Sequence, residues 1–173
     1  LIPTAVAAEI ARVLKPGGTF WLNLGDSFSA HARYGATAKS LLLTRVASAL
    51  GLACRHYNAS LLNFDDLVGF PVPGKDGQLE YVKTPAAIWG AGAVIFDEVS
   101  RCRPDVQNKL FPIIHERKVQ GIALEGLRYR WAAMNPPATD DHDNGYLGSE
   151  PLDTALADRF AFVVEMPAWA GLS

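Results

Sequence analysis

At 173 residues the chain is long enough for one domain with a real core. Apolar residues make up 49% and charged residues 20%, an ordinary globular composition that excludes intrinsic disorder. A net charge of −2 supplies no basic field to grip nucleic acid, and no apolar run reaches the roughly 18 residues of a membrane span, so neither is an expected partner.

Cys54 and Cys102 fit no zinc or redox spacing and read as reduced thiols in a cytoplasmic protein. No secretory leader pattern opens the chain. It begins at Leu1 and stops soon after Pro167-Ala168-Trp169, which points to a fragment of a longer polypeptide.

Ala5 to Leu14 carries Val6, Ile10, Val13 and Leu14 near a helical period and is stopped by Lys15-Pro16-Gly17-Gly18. Thr19 to Leu24 reads as a buried strand, and Gly25 to Gly35 as a polar loop. Thr37 to Leu50 is a second helix with Leu41, Leu42, Val46 and Leu50 on its apolar side. A strand is expected at Ala53 to Asn58 and a short helix from Ser60. Phe70 to Val82 has the pattern of a hairpin turning at Gly74-Lys75-Asp76-Gly77. Ala91 to Phe96 is a continuous apolar run, as expected of a strand covered on both faces. Pro104 to Glu116 is a helix with Val106, Leu110, Ile113 and Ile114 at helical spacing. A second hairpin is expected at Val119 to Tyr129, a strand at Arg130 to Met134, a helix from Ser149 to Ala157 and a strand at Phe160 to Met166. Strands alternating with helices imply a mainly parallel sheet with helices on both faces.

The strongest chemical signal is Ala93-Val94-Ile95-Phe96-Asp97-Glu98. Four apolar residues cross the sheet, and two carboxylates emerge at its C-terminal edge, where open α/β folds bind ligands. Phosphoryl transfer needs one carboxylate to organise Mg²⁺ and another to orient the attacking water; Asp97 and Glu98 fit in that order. By themselves they equally fit a polar strand end meeting solvent.

The succession that follows narrows this. After Asp97-Glu98-Val99-Ser100-Arg101 come a helix, a hairpin, Trp131-Ala132-Ala133-Met134-Asn135-Pro136 and Leu152-Asp153-Thr154-Ala155-Leu156-Ala157-Asp158-Arg159-Phe160. From Thr37 to Pro167 this resembles the MoxR-like, dynein-related branch of AAA+ ATPases. The resemblance implies an α/β P-loop NTPase fold: a three-layer sandwich with a mainly parallel sheet and β-hairpin insertions, here without the helical lid. It makes Asp97 and Glu98 the Walker B pair, Asn135 sensor 1 and Arg159 an arginine finger offered to the next subunit. A surface salt bridge to Asp153 or Asp158 is the plainer use of Arg159. The implied partners are ATP, Mg²⁺, other copies of the chain in a hexameric ring, and a client protein, often one with a von Willebrand factor A domain. The hairpins would face the pore or the client.

The stretch matching a G-x-x-x-x-G-K-[ST] phosphate loop is Arg33-Tyr34-Gly35-Ala36-Thr37-Ala38-Lys39-Ser40. Gly35, Thr37, Ala38, Lys39 and Ser40 are the candidate phosphate site, with Lys39 reaching the β- and γ-phosphates and Ser40 ligating Mg²⁺ beside Asp97. Arg33 and Ala36 stand where the resembled family usually carries glycine, and a left-handed non-glycine costs roughly 1–2 kcal/mol; alanine at Ala38, before the lysine, is familiar in that branch. Gly35, one position early, is a partial compensation.

Glu9 to Ser27 is similar instead to the late helix–turn–strand of amino-group DNA methyltransferases. The expected division is therefore a methyltransferase-like fragment over 1–30, natural or artefactual, joined to an AAA+ core over 31–173. Methyltransferase activity itself is disfavoured. Asn135-Pro136-Pro137 lacks the aromatic that stacks on a flipped base, and the chain has no methyl-donor glycine loop. The remaining alternative is a non-hydrolysing scaffold with a degenerate loop. His115 reads as a helix-surface residue, and Asp140-Asp141-His142-Asp143 as a solvated loop.

Overall fold

Residues 19–24, 38–135 and 152–166 are described by the computed structural model. Its centre is a sheet of strands β1 (Thr19–Leu24), β2 (Cys54–Asn58), β5 (Ala93–Asp97), β8 (Tyr129–Met134) and β9 (Val163–Met166). Their spatial order is β2-β5-β8-β1-β9, and each neighbouring pair is parallel. β1 thus lies inside the sheet, with Asn23 beside Met134 on one side and Glu165 on the other. The boundary read near residue 30 does not interrupt this sheet. All five strands point the same way, so their C-terminal ends share one edge.

Helices α1 (Ala38–Ala49) and α3 (Pro104–Glu116) cover opposite faces. The continuous apolar run of β5 is explained by its alternation. Ala93 and Ile95, with Tyr129, Trp131 and Ala133 of β8, pack under Leu42, Leu43, Val46 and Ala47 of α1. Val94 and Phe96, with Ala132 and Met134, pack against Val106, Leu110, Ile113 and Ile114 of α3. Each large side chain buried this way contributes roughly 1.5–3 kcal/mol. Pro104 opens α3, where its missing amide is no loss.

The loop after β2 bends at Leu61, whose amide donates to the Asn58 carbonyl, and helix α2 (Phe64–Val68) starts later than expected. The Asp66 carboxylate accepts the Asn63 amide at 3.2 Å, which sets that start. Gly69 ends α2 at φ +87, and a Cβ there would lie 2.1 Å from the Val82 carbonyl oxygen, so only glycine fits. β3 (Phe70–Pro73) and β4 (Leu79–Val82) form the expected hairpin.

The second hairpin is shorter than its sequence pattern: β6 (Lys118–Val119) and β7 (Ile122–Ala123) pair for two residues each. Gln120 and Gly121, both at positive φ, make its turn. The chain then turns again, Leu127 donating to the Leu124 carbonyl, before β8 begins one residue early. Helix α4 (Thr154–Ala157) is capped by Asp153, whose side chain accepts the Ala155 amide at 2.7 Å. Strand β9 starts at Val163, after a turn that includes Asp158 and Arg159. The expected N-terminal helix, the polar loop through Gly35, Thr37, Asp140 to Asp143 and the helix start at Ser149 lie outside the described residues. Among the described residues no helix is long and apolar enough to cross a membrane.

Candidate functional site

The side chains that converge come from three elements on the α1 face of the sheet. Ser40 sits in the first turn of α1 and is 1% exposed; Asp97 ends β5 and is 5% exposed. The Ser40 hydroxyl donates to Asp97 Oδ2. The Glu98 amide donates to Asp97 Oδ1 at 2.9 Å. His56 of β2 brings Nε2 to 3.5 Å from Asp97 Oδ2, within ion-pair reach and longer than a usual N–H···O bond. Burial alone pushes the Asp97 carboxyl up. The contacts from His56, Ser40 and the Glu98 amide outweigh it and hold the group below its usual value. Asp97 is therefore a charged, buried, oriented carboxylate, and its main-chain carbonyl is held by the Ala59 amide at 2.7 Å.

Glu98 follows at once in a left-handed conformation, φ 54 and ψ 38. The strand thereby ends abruptly, and a 3-10 turn over Val99–Arg101 begins. The Glu98 carboxylate lies 3.4 Å from Arg101 Nε. A non-glycine residue held at positive φ stores strain, and such residues cluster at functional sites. Asn135 directly follows β8, half-buried, at the same sheet edge as Asp97 and the end of β1.

Ala38 and Lys39 open α1 at this edge, so the helix presents its first amides beside Asp97. The Lys39 side chain, Gly35 and Thr37 are outside what the structure describes. Arg159 is placed elsewhere: its guanidinium lies 4.4 Å from the centre of the Phe111 ring of α3, and it donates to the Ala155 carbonyl. His115 is exposed on α3, as expected. Burial lifts both thiols, Cys54 and Cys102, to about 11, which leaves neither reactive.

His56 is the residue the sequence reading missed. No spacing ties it to Asp97; only the register does, which sets Asn58 beside Asp97 and His56 one pleat earlier on the same face.

Residues 36–160 match the family model of the AAA domain, dynein-related subfamily. The chain belongs to this AAA family. No curated protein matches it. Solved structures resemble the AAA chain along nearly all its length. One, from Cytophaga hutchinsonii and assigned as an ATPase, has a TM-score of 0.59 at 22% identity, over 95% of this chain and 44% of that one. NtrX from Brucella abortus has a TM-score of 0.57 at 17% identity, over 96% and 36%. NtrX in complex with ADP gives 0.56 at 17% identity, over 98% and 37%. The AAA chain spans less than half of each of these neighbours, and at such identities they establish the fold.

Proposed function

We propose that this AAA domain binds ATP with Mg²⁺, hydrolyses it to ADP and phosphate, and uses the cycle to remodel a partner protein, as MoxR-like members do. The observation that carries the reading is the direct contact of Ser40 with Asp97. A hydroxyl from the helix that follows β1 meets an ionised carboxylate from the end of the acidic strand. Both are hard oxygen donors, and a single carboxylate completed by phosphate and water oxygens is the usual setting for Mg²⁺. When bound there, Mg²⁺ would neutralise charge on the β- and γ-phosphates.

The chain's own groups supply the rest. Lys39 and the first amides of α1 hold the phosphates, with Gly35, Thr37 and Ala38 shaping the backbone that approaches them. Glu98 orients the attacking water, and Asn135 contacts the γ-phosphate. Arg159 acts on the nucleotide of an adjacent subunit, which requires release from Phe111 and assembly into a ring, in the cytoplasm. A client with a von Willebrand factor A domain suits the MoxR reading. Residues 1–30 keep their reading as a methyltransferase-like piece, whose strand serves the AAA sheet whatever its origin.

Calorimetry of Mg·ATP binding, with Lys39→Ala as control, tests the reading. Saturable binding lost in the variant is expected. Absence of binding in a folded chain would favour the non-hydrolysing scaffold, a reading motivated by Arg33 and Ala36 in the phosphate loop.

A further inference from the structure

We propose that His56 is a positioning residue for the metal site: it fixes the plane of the Asp97 carboxylate from the neighbouring strand and so sets the affinity for Mg²⁺. The inference rests on the reading of Asp97 as the carboxylate that organises Mg²⁺.

The torsion that orients an aspartate carboxylate is broad and soft, so surrounding donors decide which way its oxygens face. Asp97 Oδ1 is held by the Glu98 amide, a contact its own backbone makes at 2.9 Å. Oδ2 is the oxygen that meets Ser40, and His56 Nε2 reaches that same oxygen at 3.5 Å. β2 is the edge strand of the sheet, and His56 shares the α1 face with Cys54 below it and with Ile95 and Asp97 across the ladder. Its side chain is 37% exposed, so its position at the edge is not a packing requirement of the core. A ring nitrogen that donates has no lone pair left for a cation. With its proton on Nε2, the nitrogen facing Asp97, His56 acts on the site through that carboxylate. Partners that orient a metal-binding carboxylate typically carry roughly 10–100-fold in metal affinity.

The test measures ADP affinity across a series of Mg²⁺ concentrations and in EDTA, for the unsubstituted chain, His56→Ala and His56→Gln. Glutamine keeps an N–H donor close to the Nε2 position. His56→Ala is expected to raise the Mg²⁺ concentration for half-maximal effect roughly 10-fold. Affinity in EDTA stays unchanged, and His56→Gln recovers most of the loss. Without nucleotide, the ¹⁵N spectrum of the histidine rings should show His56 carrying its proton on Nε2, with a resonance that moves in Asp97→Asn. If the unsubstituted chain needs Mg²⁺ and His56→Ala needs no more of it, the positioning role is wrong while the metal reading survives. Equal loss in both variants, with affinity in EDTA falling too, would assign His56 a structural role and also overturn the proposal. If the unsubstituted chain binds ADP indifferently to Mg²⁺, the metal reading itself fails and the inference falls with it.

Discussion

On the α1 face of the sheet, buried polar side chains converge at one edge; on the α3 face a buried arginine serves the backbone. Ser40 and Asp97 are both nearly inaccessible and are joined side chain to side chain, from different elements. On the other face Arg130, 5% exposed, extends from β8 among apolar neighbours. Its Nε donates to the Ile114 carbonyl at 2.9 Å and its Nη1 to the Arg128 carbonyl at 3.1 Å. Ile114 lies in the last turn of α3, where carbonyls have no partner within the helix. Burial and the nearby charge of Arg117 bring the Arg130 guanidinium down to about 10, still charged at neutral pH. A buried charge is thus no sign of a site by itself. Its partners decide: main-chain carbonyls at a helix end make a brace, and convergent side chains at a strand end make a candidate site.

The largest effect should come from Glu98→Gln, which breaks the chemical side of this division alone. Loss of Glu98 from its proposed role of orienting and activating water lowers kcat by roughly 10²–10⁴-fold. The amide keeps the shape, so Mg·ATP affinity and thermal stability should hardly change. Steady-state turnover beside calorimetric binding measures both. Normal turnover in the variant would remove Glu98 from the mechanism.

Much of this division was legible in the residues. The run from Ala93 to Glu98 announces a doubly covered strand ending in carboxylates, and its even and odd positions do divide between two cores. The spacing of Val106, Leu110, Ile113 and Ile114 likewise fixes the buried side of α3. Contacts set by register were not legible. His56 reaches Asp97 because β2 and β5 run side by side with Asn58 beside Asp97, a fact about pairing that no local pattern carries. The second hairpin is shorter than its sequence pattern for a related reason. The turn at Gln120-Gly121 and the further turn after Leu124 leave only two residues on each side to pair.

Arg130→Met and Ser40→Ala should then separate in opposite directions. Methionine fills a similar length but leaves the Ile114 carbonyl buried without its donor. A hydrogen bond to a charged group contributes about 1.5–3 kcal/mol, and urea unfolding should register a loss of that order. Nucleotide affinity should stay put. Ser40→Ala removes the proposed metal ligand and should weaken Mg²⁺-dependent ADP binding while shifting the unfolding midpoint little. An Arg130→Met chain of unchanged stability but altered nucleotide affinity would erase the distinction between brace and site.

The smallest effect isolates strain. Glu98 and Arg117 share nearly the same left-handed backbone, φ 54 with ψ 38 and φ 56 with ψ 45. Arg117 ends α3 in the place glycine commonly takes, so its conformation terminates a helix. Glu98 ends β5, and its conformation follows directly on a carboxylate that faces the proposed metal site. Replacing either by glycine relieves about 1 kcal/mol of left-handed strain. Both variants should therefore melt a few degrees higher. Arg117→Gly should keep its turnover, whereas Glu98→Gly should lose it together with the carboxylate. Opposed signs for stability and activity at Glu98, beside a simple gain at Arg117, are what a functionally retained strain predicts. If Glu98→Gly is no more stable than the unsubstituted chain, the ion pair with Arg101 is worth as much as the strain, and the backbone at Glu98 is held by its own contacts and not in spite of them.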